Sequence, residues 1–270
     1  PSRRATCNRG SPVTTGGFVS LVGAGPGDPG LLTVTAARRL ADADVVFHDA
    51  LVSPQVLALA RGAVHVAVGK RAGRASTTQE AIHRRLIQSA RRGRKVVRLK
   101  GGDPYVLGRG GEEALALSEA GIPFEVVPGV SSALSAPALS GIPVTHRGLS
   151  SAVLIVSGHA ESAYRAVLSA LPPGRATLVV LMGLSNRAPI ASLLIERGWS
   201  PSTPAAICLA ASTPAAATWT GRLDELGGAA CPPGLAGTIV IGEVVTIASR
   251  IAARAAPLQP SKERIHAALR

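Results

Sequence analysis

Short apolar runs and stretches of helical period alternate through the first half of the chain. Phe18 to Val22 is an apolar run ending in a Gly/Pro cluster, which predicts a buried strand followed by a loop. Thr33 to Leu40 carries its apolar residues at helical spacing, and Asp44 to Phe47 predicts a second strand. Ser53 and Pro54 have the chemistry of an N-cap and first helical residue for a helix over Gln55 to Ala60. Val64 to Val68 is strand-like, and Thr77 or Thr78 offers a cap for a helix to Arg92, where Gly93 stops it. Lys95 to Leu99, Glu112 to Glu119 and Phe124 to Val127 then read as strand, helix and strand. Such alternation predicts a parallel sheet with helices packed on it.

Gly141 to Leu149 breaks this rhythm with Gly, Pro, Thr and His. Beyond it, strands are expected at Ala152 to Val156, Leu178 to Met182, Ala205 to Leu209, Ala216 to Thr220 and Thr238 to Ile241. Only two helices, Ser162 to Ala170 and Pro189 to Glu196, lie between them, so some antiparallel pairing is expected. The expected organisation is α/β in two domains, 18–145 and 146–248, with a flexible basic tail over 1–17 and a second tail over 249–270.

Composition narrows the class. Apolar residues make up 46% of the 270, which argues against a disordered chain, and aromatics only 3%, which argues against base-stacking nucleic-acid binders. No apolar run approaches the roughly 18 residues of a membrane span, and residues 1–17 lack the apolar core of a signal peptide. A chain beginning at Pro1 is consistent with trimming from something longer. Cys7, Cys208 and Cys231 are too scattered for a disulfide framework or a CxxC metal site. The expectation is a cytoplasmic protein without membrane or nucleic-acid partners. The net charge is +13, and residues 61–109 hold 13 basic against two acidic side chains. A polyanionic ligand or a solvated helix face (Arg84, Arg85, Arg91, Arg92) would each account for it.

Gly25-Pro26-Gly27-Asp28-Pro29-Gly30 matches GxGxxG between strand and helix, with Asp49 at the end of the next strand. A pyrophosphate cradle needs backbone N–H donors there; Pro26 and Pro29 have none, and Asp28 would repel phosphate. A loop admitting a ligand without phosphates is the better reading. Gly101-Gly102-Asp103-Pro104, the Gly108 to Glu113 stretch and Pro128 to Ala133 follow later strands. Small-residue loops in succession predict a cleft at the carboxyl edge of the sheet. The six histidines are isolated, so no metal site is expected.

Several segments occur in a telling order: Val22 to Pro29, Asp49 to Ser53, Val68-Gly69-Lys70-Arg71-Ala72-Gly73, Leu99 to Pro104 and Gly108 to Glu113. Val127-Pro128-Gly129, Gly141 to Arg147 and Met182-Gly183-Leu184 follow. Together they resemble the tetrapyrrole methylase family, in its branch that C-methylates uroporphyrinogen III, over about Phe18 to Val245. The resemblance implies two α/β domains with an S-adenosylmethionine site in the cleft between them, usually in a homodimer. It implies two methyl transfers to ring carbons of uroporphyrinogen III, through precorrin-1 to precorrin-2. Pro26, Gly101, Gly102, Asp103, Val106, Ser131, Ser132, Met182 and Ala211 would line the cofactor site. Asp49 would be the general base and Lys70 a proton donor, with Arg109 also in the active site. The sequence departs from the family pattern at His48, Ala50, Ser131-Ser132 and Ala211. Without a fused dehydrogenase-ferrochelatase half, the chain would be a stand-alone methylase.

The chemistry is consistent with this. A sulfonium methyl is already activated, so the protein must mainly align carbon, methyl and sulfur. A neutral pyrrole carbon that gains a methyl must lose a proton elsewhere, which calls for a carboxylate base. The many carboxylates of uroporphyrinogen suit a basic surface. Three alternatives stand beside it: a sibling methylase acting on a later corrin precursor, a basic nucleic-acid-binding protein, and a nicotinamide enzyme resting on GxGxxG alone.

Overall fold

The computed structural model describes residues 16–69 and 78–253. Most of both expected tails, Thr77 and Lys70 lie outside the described residues.

Valine- and leucine-rich runs make the first sheet: β1 (Phe18–Gly23), β2 (Val45–His48), β3 (Val64–Ala67), β4 (Lys95–Lys100) and β5 (Phe124–Val127), in the order β3-β2-β4-β1-β5. Every pairing is parallel, with Phe18 to Gly23 of β1 in register with Lys95 to Lys100 of β4. A parallel sheet must be covered on both faces. On one face α1 (Val34–Ala41) and α2 (Pro54–Leu57) bury Ala36, Leu40 and Val56 against Val22, Val46, Val97 and Leu99. On the other, α3 (Gln79–Arg91) and α4 (Gly110–Glu119) bury Ile82, Leu86, Ala114 and Leu117 against Val19, Leu21, Phe47 and Val96. Three of these helices start where a hydroxyl satisfies an orphan backbone N–H: Thr33 accepts from Ala36 (3.1 Å), Ser53 from Val56 (3.2 Å) and Thr78 from Ala81 (3.3 Å).

The second sheet joins β6 (Val153–Ser157), β7 (Thr177–Leu181), β8 (Pro204–Leu209), β9 (Ala217–Arg222) and β10 (Gly237–Ile241) in the order β6-β7-β10-β8-β9. Only β6 and β7 run parallel; the other pairs are antiparallel. The helices α6 (Glu161–Ala170) and α7 (Arg187–Glu196) bury Tyr164, Leu168, Ile190 and Leu194 against Leu178, Val180, Ile207 and Ile239. Thr246–Ala252 forms the short α8.

The helix after β5, α5 (Ser132–Leu139), was read from the sequence only as a small-residue loop. It packs on the second sheet, where Ala136 and Ile142 join Ala206, Cys208 and Val240 in one cluster. Its composition explains the difference. SALSAPAL has no polar face to set a helical period and carries Pro137 inside the helix. Several boundaries also shift by two or three residues: α2 stops at Leu57 instead of Ala60, α4 begins at Gly110 instead of Glu112, α7 begins at Arg187 instead of Pro189, and β9 runs to Arg222 instead of Thr220.

Candidate active site

The connection leaving β1 runs to β2 on one side, and that leaving β4 runs to β5 on the other. The crevice between β1 and β4 is therefore a topological switch point, where open α/β sheets bind ligands. Here the two loops are drawn together: Ala24 N donates to Lys100 O (2.7 Å), Gly25 N to Gly102 O (3.1 Å) and Gly102 N to Gly25 O (2.9 Å). The loop after β5 joins them, because a Cβ at Gly129 would lie 2.2 Å from Gly102 O and 2.7 Å from Gly23 Cα. Only glycine permits that approach.

Asp103 fastens the same junction. Its Oδ2 accepts from Gly129 N (3.0 Å) and its Oδ1 from Tyr105 N (2.8 Å), leaving a second lone pair on each oxygen. Gly102 faces Ser131 and Ser132, whose atoms lie 3.5 to 3.7 Å from where its Cβ would be. Ser131 caps α5, and Ser132 O accepts from Thr238 Oγ1 of β10 (3.4 Å). Thr238 is the register partner of Leu181, so Met182 follows directly at the end of β7 and is exposed.

From the first loop, Asp28 N donates to Ser212 Oγ (3.0 Å), and Ser212 Oγ and Ala211 O lie 3.3 and 3.9 Å from a Cβ built at Gly27. Pro26, Gly101, Gly102, Asp103, Ser131, Ser132 and Ala211 thus belong to one assembly of loops spanning both sheets. Val106 sits half-buried in the β4–α4 loop. A pocket of about 190 Å³ opens beside Ala211 and Ser212, lined also by Leu139, Ser140, Leu209 and Thr218.

The GxGxxG resemblance ends with this geometry. Asp28 Oδ1 already accepts from Gly30 N at 2.7 Å, so a carboxylate stands where a phosphate would need donors. The five described non-glycine residues with positive φ are Leu107, Arg109, Met182, Ala210 and Ser212, at +44 to +63°. All five fall in these loops. Such backbone costs about 1–3 kcal/mol per residue and collects at functional sites.

Asp49 follows β2, its N–H donating to Leu99 O (3.1 Å), level with Lys100 and next to the Gly101-Gly102 loop. Its side chain is 31% exposed and is held by Arg98 Nη2 at 2.5 Å. Gly69 packs so close to this turn that a Cβ would sit 2.2 Å from Ala50 N. Arg109 stands on the rim as the residue before α4, its exposed guanidinium bound at both ends by Glu112 (2.8 and 2.7 Å). That hydrogen bond raises the Arg109 pKa above its usual value despite partial burial, with the charges of Glu112, Glu80 and Glu113 adding to it.

Beneath Asp49 lies a cluster to which the motifs assigned no role, although Lys100 and Glu113 fall within them. Glu113 is wholly buried, and its Oε1 accepts from Arg98 Nε (2.9 Å), Lys100 Nζ (3.1 Å) and Gln79 Nε2 (3.2 Å). Among the described residues its Oε2 has no partner. Burial pushes the Lys100 ammonium below the ordinary lysine range, and Arg98 pushes it the same way, against the pull of Glu113 and Asp49. A signal was present in the sequence: two cations at alternate positions of a strand central to a parallel sheet must be buried, and buried cations need carboxylates.

Part of the basic excess lies on the solvated helix face that was one of its two readings: Arg84, Arg85, Arg91 and Arg92 are all exposed. Because α3 runs against the strands, Arg91, Arg92, Arg94 and Lys95 lie exposed at the amino edge of the sheet, opposite the loops. Arg61, just before β3, lies at that edge too.

A two-sheet α/β architecture with its loops sealed around a carboxylate defines the class. The family model of the Tetrapyrrole (Corrin/Porphyrin) Methylases matches residues 19–227, and the chain belongs to that family. Among its relatives, siroheme synthase of Neisseria meningitidis (serogroup C / serotype 2a) is 48% identical over 242 residues, covering 88% of this chain and 50% of that one. The structure of uroporphyrin-III C-methyltransferase from Thermus thermophilus, complexed with S-adenosylhomocysteine, matches with TM-score 0.74 and 46% identity over 86% of this chain and 100% of that one. A cobalt precorrin-4 methyltransferase matches at 0.72 with 25% identity, over 84% and 95%. The chain spans about half the length of the curated relatives it matches.

Proposed function

We propose that this chain is an S-adenosylmethionine-dependent C-methyltransferase that methylates uroporphyrinogen III twice, by way of precorrin-1, to precorrin-2. The observation that carries the reading is the placement of Asp49, a half-buried carboxylate fixed by Arg98, level with Lys100 and next to the Gly101-Gly102 loop of the switch point. The 46% identity across the whole Thermus enzyme supports it.

The site suits a ligand that is mostly adenosine and amino acid. Its walls are backbone and small side chains, and the pocket beside Ala211 is lined by Leu, Ala, Ser and Thr. Pro26, Gly101, Gly102, Asp103, Val106, Ser131, Ser132, Met182 and Ala211 would hold it. When bound, S-adenosylmethionine supplies an activated methyl group. Loops fixed to one another at short range hold the two reactants in line, which provides most of the rate gain for such a transfer. Asp49 accepts the proton that the methylated ring system must lose. In this reading Arg109 receives substrate carboxylates on the rim, exchanging Glu112 for them.

Incubation with uroporphyrinogen III and methyl-labelled S-adenosylmethionine tests the reading. Label in the tetrapyrrole with two S-adenosylhomocysteines released per product is expected; an unlabelled tetrapyrrole would reject it. The likeness to a cobalt precorrin-4 methyltransferase supports a second reading, methylation of a later corrin precursor. Label entering only such a precursor would establish that instead. We further infer a cytoplasmic homodimer, which sedimentation and cell fractionation would check. No helix among the described residues is long and apolar enough to cross a membrane.

A further inference from the structure

We infer that Glu113 is a positioning residue for Asp49: it anchors Arg98 from behind, so that the guanidinium presents Nη2 to Asp49, and it balances the positive charge that Asp49 faces. The inference rests on Asp49 being the base.

Arg98 has several soft torsions, and a single contact to a half-exposed carboxylate would not hold it. The structure fixes it on every edge. Nε donates to Glu113 Oε1 (2.9 Å), Nη1 to Leu99 O (3.1 Å) and Phe47 O (3.4 Å), and Nη2 to Asp49 Oδ1 (2.5 Å). Glu113 is therefore one link from the proposed base and is itself wholly buried. Packing does not call for it: Ala114 and Leu117 of the same helix supply the apolar contacts. A buried carboxylate in their midst has a large desolvation cost and needs an electrostatic reason to be there.

The reason is the charge arrangement. Arg98 and Lys100 both lie next to Asp49, and without Glu113 two buried cations would confront one carboxylate. Asp49 would then bind a proton less readily and be a weaker base. The other groups around the cluster are Gln79, Glu80 and His83 from α3 and Arg109 and Glu112 from the start of α4. His48 lies beside Asp49 on β2, with the His65 ring edge-on to it at 6.4 Å. Of these, Gln79 alone bonds Glu113 directly among the described residues, as a neutral donor at 3.2 Å.

The test is the pH dependence of kcat in four variants, with S-adenosylhomocysteine affinity measured by calorimetry to show that the site is folded. Glu113→Gln should lower kcat about tenfold or more, leave that affinity unchanged, and move the acid limb of the profile to lower pH. Glu113→Asp should restore part of both. Gln79→Glu, on a half-exposed helix start, adds negative charge and should move the acid limb to higher pH. A purely structural glutamate would reduce the amount of folded enzyme and leave the limb in place. An unmoved limb in Glu113→Gln that binds S-adenosylhomocysteine normally overturns the inference. If that variant does not fold, an unmoved limb in Gln79→Glu does so. Asp49→Asn separates the two claims. Retained turnover there rejects Asp49 as the base, whereas an inactive Asp49→Asn beside an unmoved limb rejects only the part given to Glu113.

Discussion

The first sheet carries two arginine–carboxylate networks, one on each face, and they are built differently. On the α1 face, Arg39 pairs with both oxygens of Glu125 on β5, and Ser20 of β1 adds a hydroxyl at 2.7 Å. Both side chains are partly exposed, 39% and 28%, and each carboxylate oxygen has a donor. On the α3–α4 face, Arg98 and Glu113 are almost completely buried, two cations share one oxygen, and the other oxygen has no partner among the described residues. The first network joins a helix to a strand near water. The second is strained by burial and opens onto Asp49. The difference is between a pair matched donor for donor and a buried one whose charges are unevenly shared, the arrangement on which the role inferred for Glu113 rests.

Breaking the buried network should have the largest effect. Arg98→Met leaves Glu113 charged and buried with Lys100 and the neutral Gln79 amide as its remaining donors, and should cost about 3–5 kcal/mol in urea unfolding. A loss below about 1 kcal/mol would place Arg98 with ordinary surface pairs. Asp49→Asn comes next: turnover should fall about 10²-fold or more while S-adenosylhomocysteine still binds. Gly129→Ala drives a methyl group into Gly102 O, and should cost about 1–3 kcal/mol and weaken that binding; calorimetry showing wild-type affinity would contradict it.

The exposed network should respond weakly, and in a pH-dependent way. Burial works to raise the Glu125 pKa, but hydrogen bonds from Arg39 and Ser20, with the charge of Arg39, hold it below its ordinary 4.5. A lowered folded-state value stabilises the fold above the unfolded value, and that stability is lost as pH falls through the folded one. Glu125→Gln should therefore cost about 0.2–1 kcal/mol near neutral pH. The gap from wild type should close on acidification below 4.5, and a gap that widens there would refute the assignment. Smallest of all, Arg94→Gln at the amino edge should change stability by no more than about 0.5 kcal/mol and leave methylation intact.

Much of this was legible in the sequence. The strands of the parallel sheet are runs of Val, Leu and Phe bounded by Gly and Pro, and β5 falls on the expected residues, Phe124–Val127. The loops at the carboxyl edge were visible as glycine clusters because close backbone approach leaves that trace. The α5 helix was hidden because it lacks a polar face. In the Ala210 to Thr213 loop the resemblance pointed to Ala211 alone; left-handed backbone at Ala210 and Ser212 has no compositional mark when tertiary contacts impose it. The charge count located an excess but not its direction. Arg91, Arg92 and Arg94 are close in sequence to Arg98, yet an antiparallel helix and a tight turn carry them to the far edge.

Gly23, Gly102 and Gly129 meet backbone to backbone beneath the cleft. A floor made of peptide groups gives mutation no side chain to exchange there. A change in the ligand accepted would have to come from the rim and the second sheet, where there are side chains to change.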